Sequence, residues 1–174
     1  MNDPAIRLCT CTPACASALA AIGAQTFTET FSSCNTEEDM REYLAHNFTP
    51  ELLLKELSCP LSEFYTAEAE GETAAYIKLN FGSAQTENFP GFAEVQRLYV
   101  LKKYKRAGLG TALVRQAERR ARESGAAGLW LGVWEHNYPA QAFYQRQGFV
   151  RIGQHPFVLG EDVQTDLILC KKFD

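Results

Sequence analysis

The chain has 174 residues, 46% apolar and 22% charged, with a formal net charge of −4. That length suits one domain around one core. The negative balance argues against nonspecific nucleic-acid binding and favours a cationic substrate, with simple solubility as the competing account. No run of about twenty apolar residues occurs, so neither a transmembrane helix nor a membrane partner is expected. Met1-Asn2-Asp3-Pro4 lacks a basic segment followed by an apolar one, so no secretory signal is expected. Six cysteines (Cys9, Cys11, Cys15, Cys34, Cys59 and Cys170) therefore read as reduced thiols of a cytoplasmic protein. Cys9, Cys11 and Cys15 form no CxxC pair and have no histidine within thirty residues, so no metal site is expected.

Ile6 to Thr10 reads as a first strand. Thr12-Pro13 makes a helix start, a hydroxyl cap followed by proline, and Leu19, Ile22 and Phe27 mark an apolar face up to about Phe27. A second helix follows Asn35-Thr36-Glu37-Glu38-Asp39, with Met40, Tyr43, Leu44 and Phe48 at helical spacing. Thr49-Pro50-Glu51 opens a third helix, Leu52 to Leu57, which Pro60 closes. Ser62–Glu70 and Glu72–Phe81 then read as a hairpin turning at Gly71. Ser83 to Pro90 is a loop, Phe92–Val100 a strand, and Gly108–Ser124 a helix ended by Gly125. Gly128–Trp134 is a near-continuous apolar strand, as expected where both faces are covered. Asn137–Gln147 is a helix, and "FVRIG" and "VQTDLILCKKF" are two closing strands.

This order, β-α-α-α-β-β-β-α-β-α-β-β, predicts an α/β (mixed α+β) fold with helices on both faces of a twisted, mostly antiparallel central sheet. The unit from Phe92 to Trp134 implies one locally parallel pair with a right-handed crossover. Residues 1–174 read as a single domain, with 6–61 forming a strand and helices beside a sheet core at 62–174.

The stretch "LKKYKRAGLGTALV" (101–114) places Lys102, Lys103, Lys105 and Arg106 before Gly108-Leu109-Gly110 and an apolar helix. Cations at a helix N-terminus oppose the dipole. They fit if a polyanion docks on the free N–H groups there. Neither a Walker A loop nor a G-x-G-x-x-G fingerprint matches, because no lysine follows Gly110 and Leu113 occupies the last glycine position. A plain strand-helix turn with solvated lysines is the competing account.

The stretch resembles a third pattern, the acyl-CoA loop Q/R-x-x-G-x-G/A of the GNAT N-acetyltransferases. Here it runs Lys105-Arg106-Ala107-Gly108-Leu109-Gly110, with Lys105 replacing the usual Gln or Arg. "WLGVWEHNYPAQAFYQRQGF" resembles the second signature of that family, through Asn137, Ala140, Phe143, Tyr144, Gly148 and Phe149. The resemblance implies acetyl-CoA as co-substrate. It implies pantetheine contacts from Leu98, Tyr99 and Val100, and a pyrophosphate cradle from Lys105 through Thr111. Asn137, Ala140 and Tyr144 complete the implied cofactor side, and a backbone N–H near Tyr99 or Val100 becomes an oxyanion donor. The N-terminal helices and the closing hairpin further resemble the PaiA-type branch, associated with polyamine acetylation. The first helices of the family usually wall the acceptor site.

Acetyl transfer from a thioester to an amine needs a proton acceptor for the amine, donors for the oxyanion and an acid for the departing thiolate. Tyr144 is the acid candidate. It lies two helical turns after Asn137, on the same face. Glu94 is the base candidate, with a role in orienting the amine by charge as its alternative. Gln96 shares its face unless a bulge intervenes. Tyr76 reads as core filling and His136 as a surface histidine at a helix start. Trp130 and Trp134 read as sheet cover, and Arg115, Arg119, Arg120 and Arg122 as a solvated face with Glu118–Arg122 at i,i+4. Glu37, Glu38, Asp39, Glu42, Glu51 and Glu56 would suit a polyamine but equally suit helix starts.

The expected activity is transfer from acetyl-CoA to a primary amine of a small molecule, with spermidine or spermine as candidates and the chain a monomer or homodimer. An acyl-CoA-binding regulatory module and a protein or peptide N-acetyltransferase stay open beside it.

Overall fold

Seven strands form one open sheet in the computed structural model, which describes residues 6–174. The Met1–Pro4 stretch, read above as lacking a secretory signal, lies outside the described residues. The elements are β1 (Arg7–Thr10), α1 (Ala16–Phe31), α2 (Glu37–Asn47), α3 (Pro50–Leu57), β2 (Ser62–Ala69), β3 (Glu72–Asn80), β4 (Ala93–Val100), α4 (Leu109–Glu123), β5 (Gly128–Trp134), α5 (Tyr138–Arg146), β6 (Val150–Leu159) and β7 (Asp162–Lys172). The sheet order is β1-β2-β3-β4-β5-β7-β6, and only β4 and β5 are parallel. This is the mixed, mostly antiparallel sheet that the element order predicts. No helix among the described residues is long and apolar enough to cross a membrane.

Local chemistry explains most boundaries. The hydroxyls of Thr36 and Thr49 cap α2 and α3 by accepting from the N–H groups of Asp39 and Leu52, at 3.1 and 3.2 Å. Thr12 caps nothing; Pro13–Cys15 form a 3₁₀ turn, and α1 starts after it. That helix continues past Phe27 to Phe31, whose ring stacks on Phe27 at 4.3 Å. Strand β6 runs six residues beyond the expected "FVRIG", straight through Pro156. It lies at the sheet edge, where a missing N–H leaves no ladder bond unmade.

Alternation along β3 puts Tyr76, Lys78 and Asn80 on one face and Ala75, Ile77 and Leu79 on the other. The first face lies under α1: a Cβ added to Gly23 would come within 2.9 Å of the Tyr76 hydroxyl. The second lies under the apolar stripe Leu109, Leu113, Val114, Ala117 and Ala121 of α4.

A buried ion cluster sits on the α1–α3 face. Glu56 of α3 takes two hydrogen bonds from the Arg97 guanidinium, at 2.6 and 3.1 Å, and Lys78 Nζ stands 3.1 Å away. Lys78 is 5% and Arg97 8% exposed, so neither cation can turn to water. Arg97 also lies over the Phe48 ring and Lys78 over Phe64. Removing the shared carboxylate would strand two buried cations. Glu56→Gln should therefore cost about 3–5 kcal/mol in urea unfolding, whereas Glu51→Gln, at an exposed helix start, should cost about 0.5 kcal/mol or less.

Candidate active site

Strands β4 and β5 pair through only two positions, Ala93↔Leu129 and Glu94↔Trp130, and then part. A bulge at Gln96 accompanies the parting: Leu79 pairs with Val95 and Lys78 with Arg97, leaving Gln96 as the extra residue. Beyond it the β5 side of β4 carries no ladder. Leu98, Tyr99 and Val100 are half-buried beside this gap.

The gap leads to the start of α4. Gly108 is its N-cap, with φ +82°, a left-handed backbone that glycine adopts without strain. No side chain caps this helix. Among the described residues, the N–H groups of Gly108, Leu109, Gly110 and Thr111 take no acceptor, and Lys105, Arg106, Ala107 and Gly108 are exposed. Arg106 also holds a positive φ of 68°. Such a turn presents several donors to one point, the arrangement that binds phosphate oxygens. Not all four cations belong to it. Lys103 pairs with Glu72 at 2.7 Å and lies over the Tyr104 ring.

Gly110 does different work from the one expected. A Cβ there would come within 3.2 Å of the Phe143 ring and 3.8 Å of Val100, so this glycine lets α5 pack against α4 beside the gap. Gln147 donates to the Thr111 hydroxyl at 3.2 Å and ties the same two helices together.

On α5, the Asn137 side chain accepts from the Ala140 N–H at 3.3 Å and caps the helix. Tyr144 is 8% exposed, between Phe143 and Phe149. Its hydroxyl makes no hydrogen bond among the described residues. Burial, and then the neighbouring Tyr99, raise its phenol above the ordinary tyrosine range, so at neutral pH it is a proton donor.

Glu94 does not stand free in the gap. Its Oε2 accepts from Asn80 Nδ2 at 2.9 Å and from the Thr86 N–H at 2.8 Å, and its Oε1 accepts from the Thr86 hydroxyl. The carboxylate pins the β3–β4 loop over the sheet. Gln96 shares the Asn80 amide at 2.9 Å. The same loop covers Trp130, whose Nε1 donates to Gln85 at 2.6 Å and whose ring stacks on Phe89 at 4.7 Å.

The pinned loop carries Glu87 onto His155 of β6. His155 pairs in register with Asp166 of β7, which pairs with Trp134 of β5, so the three form one row across the sheet. Around this row stand Phe31 (5.1 Å from Trp134), Phe157 and Tyr43. The sequence reading missed these residues because they come from separate segments without motif spacing. The acids it counted are engaged elsewhere: Asp39 accepts from the Thr36 hydroxyl, and Glu56 holds Arg97. His136 stays exposed, 3.4 Å from the Tyr138 hydroxyl. The expected Glu118–Arg122 pair is absent among the described contacts: Lys171 takes Glu118 at 2.5 Å, and Arg122 lies over Phe173.

Comparison with known proteins gives the family. Residues 24–149 match the acetyltransferase (GNAT) family. An uncharacterised N-acetyltransferase of Lactobacillus delbrueckii subsp. lactis is 42% identical over 152 residues, 87% of this chain and 88% of that one. An N-alpha-acetyltransferase of Sulfurisphaera tokodaii is 32% identical over 107 residues, 57% of this chain and 64% of its own. The PaiA N-acetyltransferase of Thermoplasma acidophilum, solved with coenzyme A, superposes with a TM-score of 0.80 over 97% of this chain and 99% of that one, at 22% identity. The chain belongs to the GNAT family of N-acetyltransferases.

Tyr43, Tyr76, Tyr99 and Tyr144 all have phenols raised above 10, chiefly by burial. A folded-state value above the unfolded one means that the folded chain holds the proton more tightly. The stability is complete below pH 10 and falls as pH rises beyond it, by up to about 1.4 kcal/mol per pH unit for each tyrosine. Lys78 is shifted down by burial and opposes this only up to its unfolded value of 10.5. Urea unfolding should show stability dropping steeply from pH 10 to 11.5, and Tyr76→Phe should make the drop shallower.

Proposed function

We propose that the chain moves an acetyl group from acetyl-CoA to a primary amine of a small molecule, by direct attack in a ternary complex. The observation that carries this reading is the gap between β4 and β5, which opens onto the uncapped start of α4. The turn from Lys105 to Thr111 would hold the pyrophosphate, with Lys105 and Arg106 adding charge. The edge at Leu98, Tyr99 and Val100 would hold the pantetheine, and one N–H near Tyr99 or Val100 would face the oxyanion. Asn137 and Ala140 would contribute through the start of α5, and Tyr144 would protonate the leaving sulfur. Glu94 fits a positioning role, because its oxygens already hold Asn80 and Thr86. A polyamine such as spermidine or spermine suits the aromatic and acidic surroundings of Asp166. The Sulfurisphaera relative, an N-alpha-acetyltransferase, supports a second reading, in which the amine is a polypeptide N-terminus.

Acetyl-CoA at about a hundred times its Kd should add about 2.7 kcal/mol of stability and raise the thermal midpoint by several degrees. Gly108→Val, which forces a branched residue into a left-handed backbone, should abolish that rise; Arg106→Glu should reduce it without straining the turn.

An acceptor screen by mass spectrometry, spanning polyamines, amino acids and peptides, tests transfer and acceptor class together. Tyr144→Phe should lower kcat about tenfold to a thousandfold with little change in acetyl-CoA affinity. Unchanged turnover would remove Tyr144 from the acid role. Peptides accepted in preference to polyamines would favour the second reading.

A further inference from the structure

Gly132 is an exposed glycine inside β5, two residues beyond the last β4–β5 pair. Every other position from Gly128 to Val133 in that strand is buried. A Cβ at Gly132 would lie 3.3 Å from Asp166 Oδ2 and 3.4 Å from His155 Nε2. The missing side chain thus leaves a small opening on which a carboxylate oxygen and an imidazole nitrogen converge. Those two atoms are 3.7 Å apart. Across the gap, the phenol of Tyr99 lies within electrostatic reach of Asp166, as does Tyr43 of α2.

We propose that the opening over Gly132 is the acceptor-amine subsite, where Asp166 holds the incoming ammonium and His155 Nε2 takes its proton. The proposal rests on the acetyl-transfer reading above and supplies the proton acceptor which that reading lacks. A carboxylate and aromatic rings on several sides suit a protonated alkylamine. The ammonium gives one proton to His155 Nε2. The amine lone pair then forms the C–N bond at the thioester carbonyl, and the C–S bond breaks with its electron pair on sulfur. The sulfur takes a proton from Tyr144, and the second nitrogen proton restores the phenol. One proton per turnover leaves His155 for solvent. Glu87 closes on His155 Nδ1 from the opposite side, out of line with the ring N–H, and orients the imidazolium by charge. The charged and titratable groups facing the pair are Glu87 from the β3–β4 loop, Asp166 from β7, Tyr43 from α2 and Tyr99 from β4, with Arg97 behind the tyrosines. Trp134 and Gly132 of β5 carry no charge.

Histidine-labelled full-length protein saturated with coenzyme A, which cannot turn over, is titrated with spermidine and followed by NMR. Three histidines are present, and His155→Gln assigns the resonance. The His155 signal should shift, and Gly132→Ala should suppress the shift while the other two signals stay in place. In steady-state assays Gly132→Ala should raise the acceptor KM at least tenfold. His155→Gln should lower kcat at least tenfold with little change in acetyl-CoA affinity. No shift at His155, or variants with wild-type kinetics, would overturn the proposal while leaving acetyl transfer intact. A wild type that transfers no acetyl group but still shows the His155 response would overturn the reading of the activity and leave the amine subsite supported.

Discussion

The rest of the site depends on β4 leaving β5 after two residue pairs. Backbone N–H and C=O groups inside a sheet are normally bonded, and leaving them unpaired costs free energy. Here a half-strand of such groups faces a gap near the middle of the molecule. The bulge at Gln96 adds twist to β4 and turns it away from its neighbour. Beside the gap, Phe143 fills the space that the missing Gly110 side chain leaves. An extended ligand with its own amide groups can complete the interrupted ladder, much as an added strand does.

Two electrostatic patterns flank that gap, and they differ in how they are satisfied. On the α3 side, Glu56 is shared between Arg97 and Lys78, all three away from water. That cluster is closed: its charges have partners and its removal is a matter of stability. On the β7 side, the ion partner of Asp166 among the described residues is His155 at 3.7 Å, and burial raises its carboxyl above the ordinary range while His155 acts in the opposite direction. A carboxylate so placed gains from a further cation. The difference between a satisfied and an under-satisfied ion group distinguishes these two clusters more clearly than charge counting does. The acids counted in the N-terminal helices illustrate the point, since most cap helices, pair or face water.

Local signals were legible in the sequence because their causes are local. Threonine caps at Thr36 and Thr49, the hairpin turn at Gly71 and the asparagine cap at Asn137 each act within four residues. The Gly108 turn belongs with them, since its φ is a property of one residue. What the sequence hid are contacts between distant segments. Glu56 meets Arg97 across 41 positions, and Glu118 prefers Lys171, 53 positions away, to its helical neighbour. Strand β6 runs through Pro156 because a proline excludes a strand only where the strand needs its N–H. The row Trp134, Asp166 and His155 depends on the register of two antiparallel pairs, and no spacing rule along one chain can give that register. Glu94 was located on the right strand, but its hydrogen-bonding to Thr86 depends on where a twelve-residue connection folds.

The two glycines of the α4 turn show how that turn and the helix carrying Tyr144 are joined. Gly108 is needed for a backbone angle, and Gly110 for the ring of Phe143. Phe143 is adjacent to Tyr144, and their rings meet at 5.2 Å. Thr111 is held by Gln147 one turn further along α5. The turn with free N–H groups and the helix carrying Tyr144 are thus packed as one piece. Anything that orders the turn also fixes the phenol relative to the gap. Precise placement of reacting groups contributes much of the rate in group transfer, and the missing Cβ of Gly110 is what lets Phe143, next to Tyr144, pack against the start of α4.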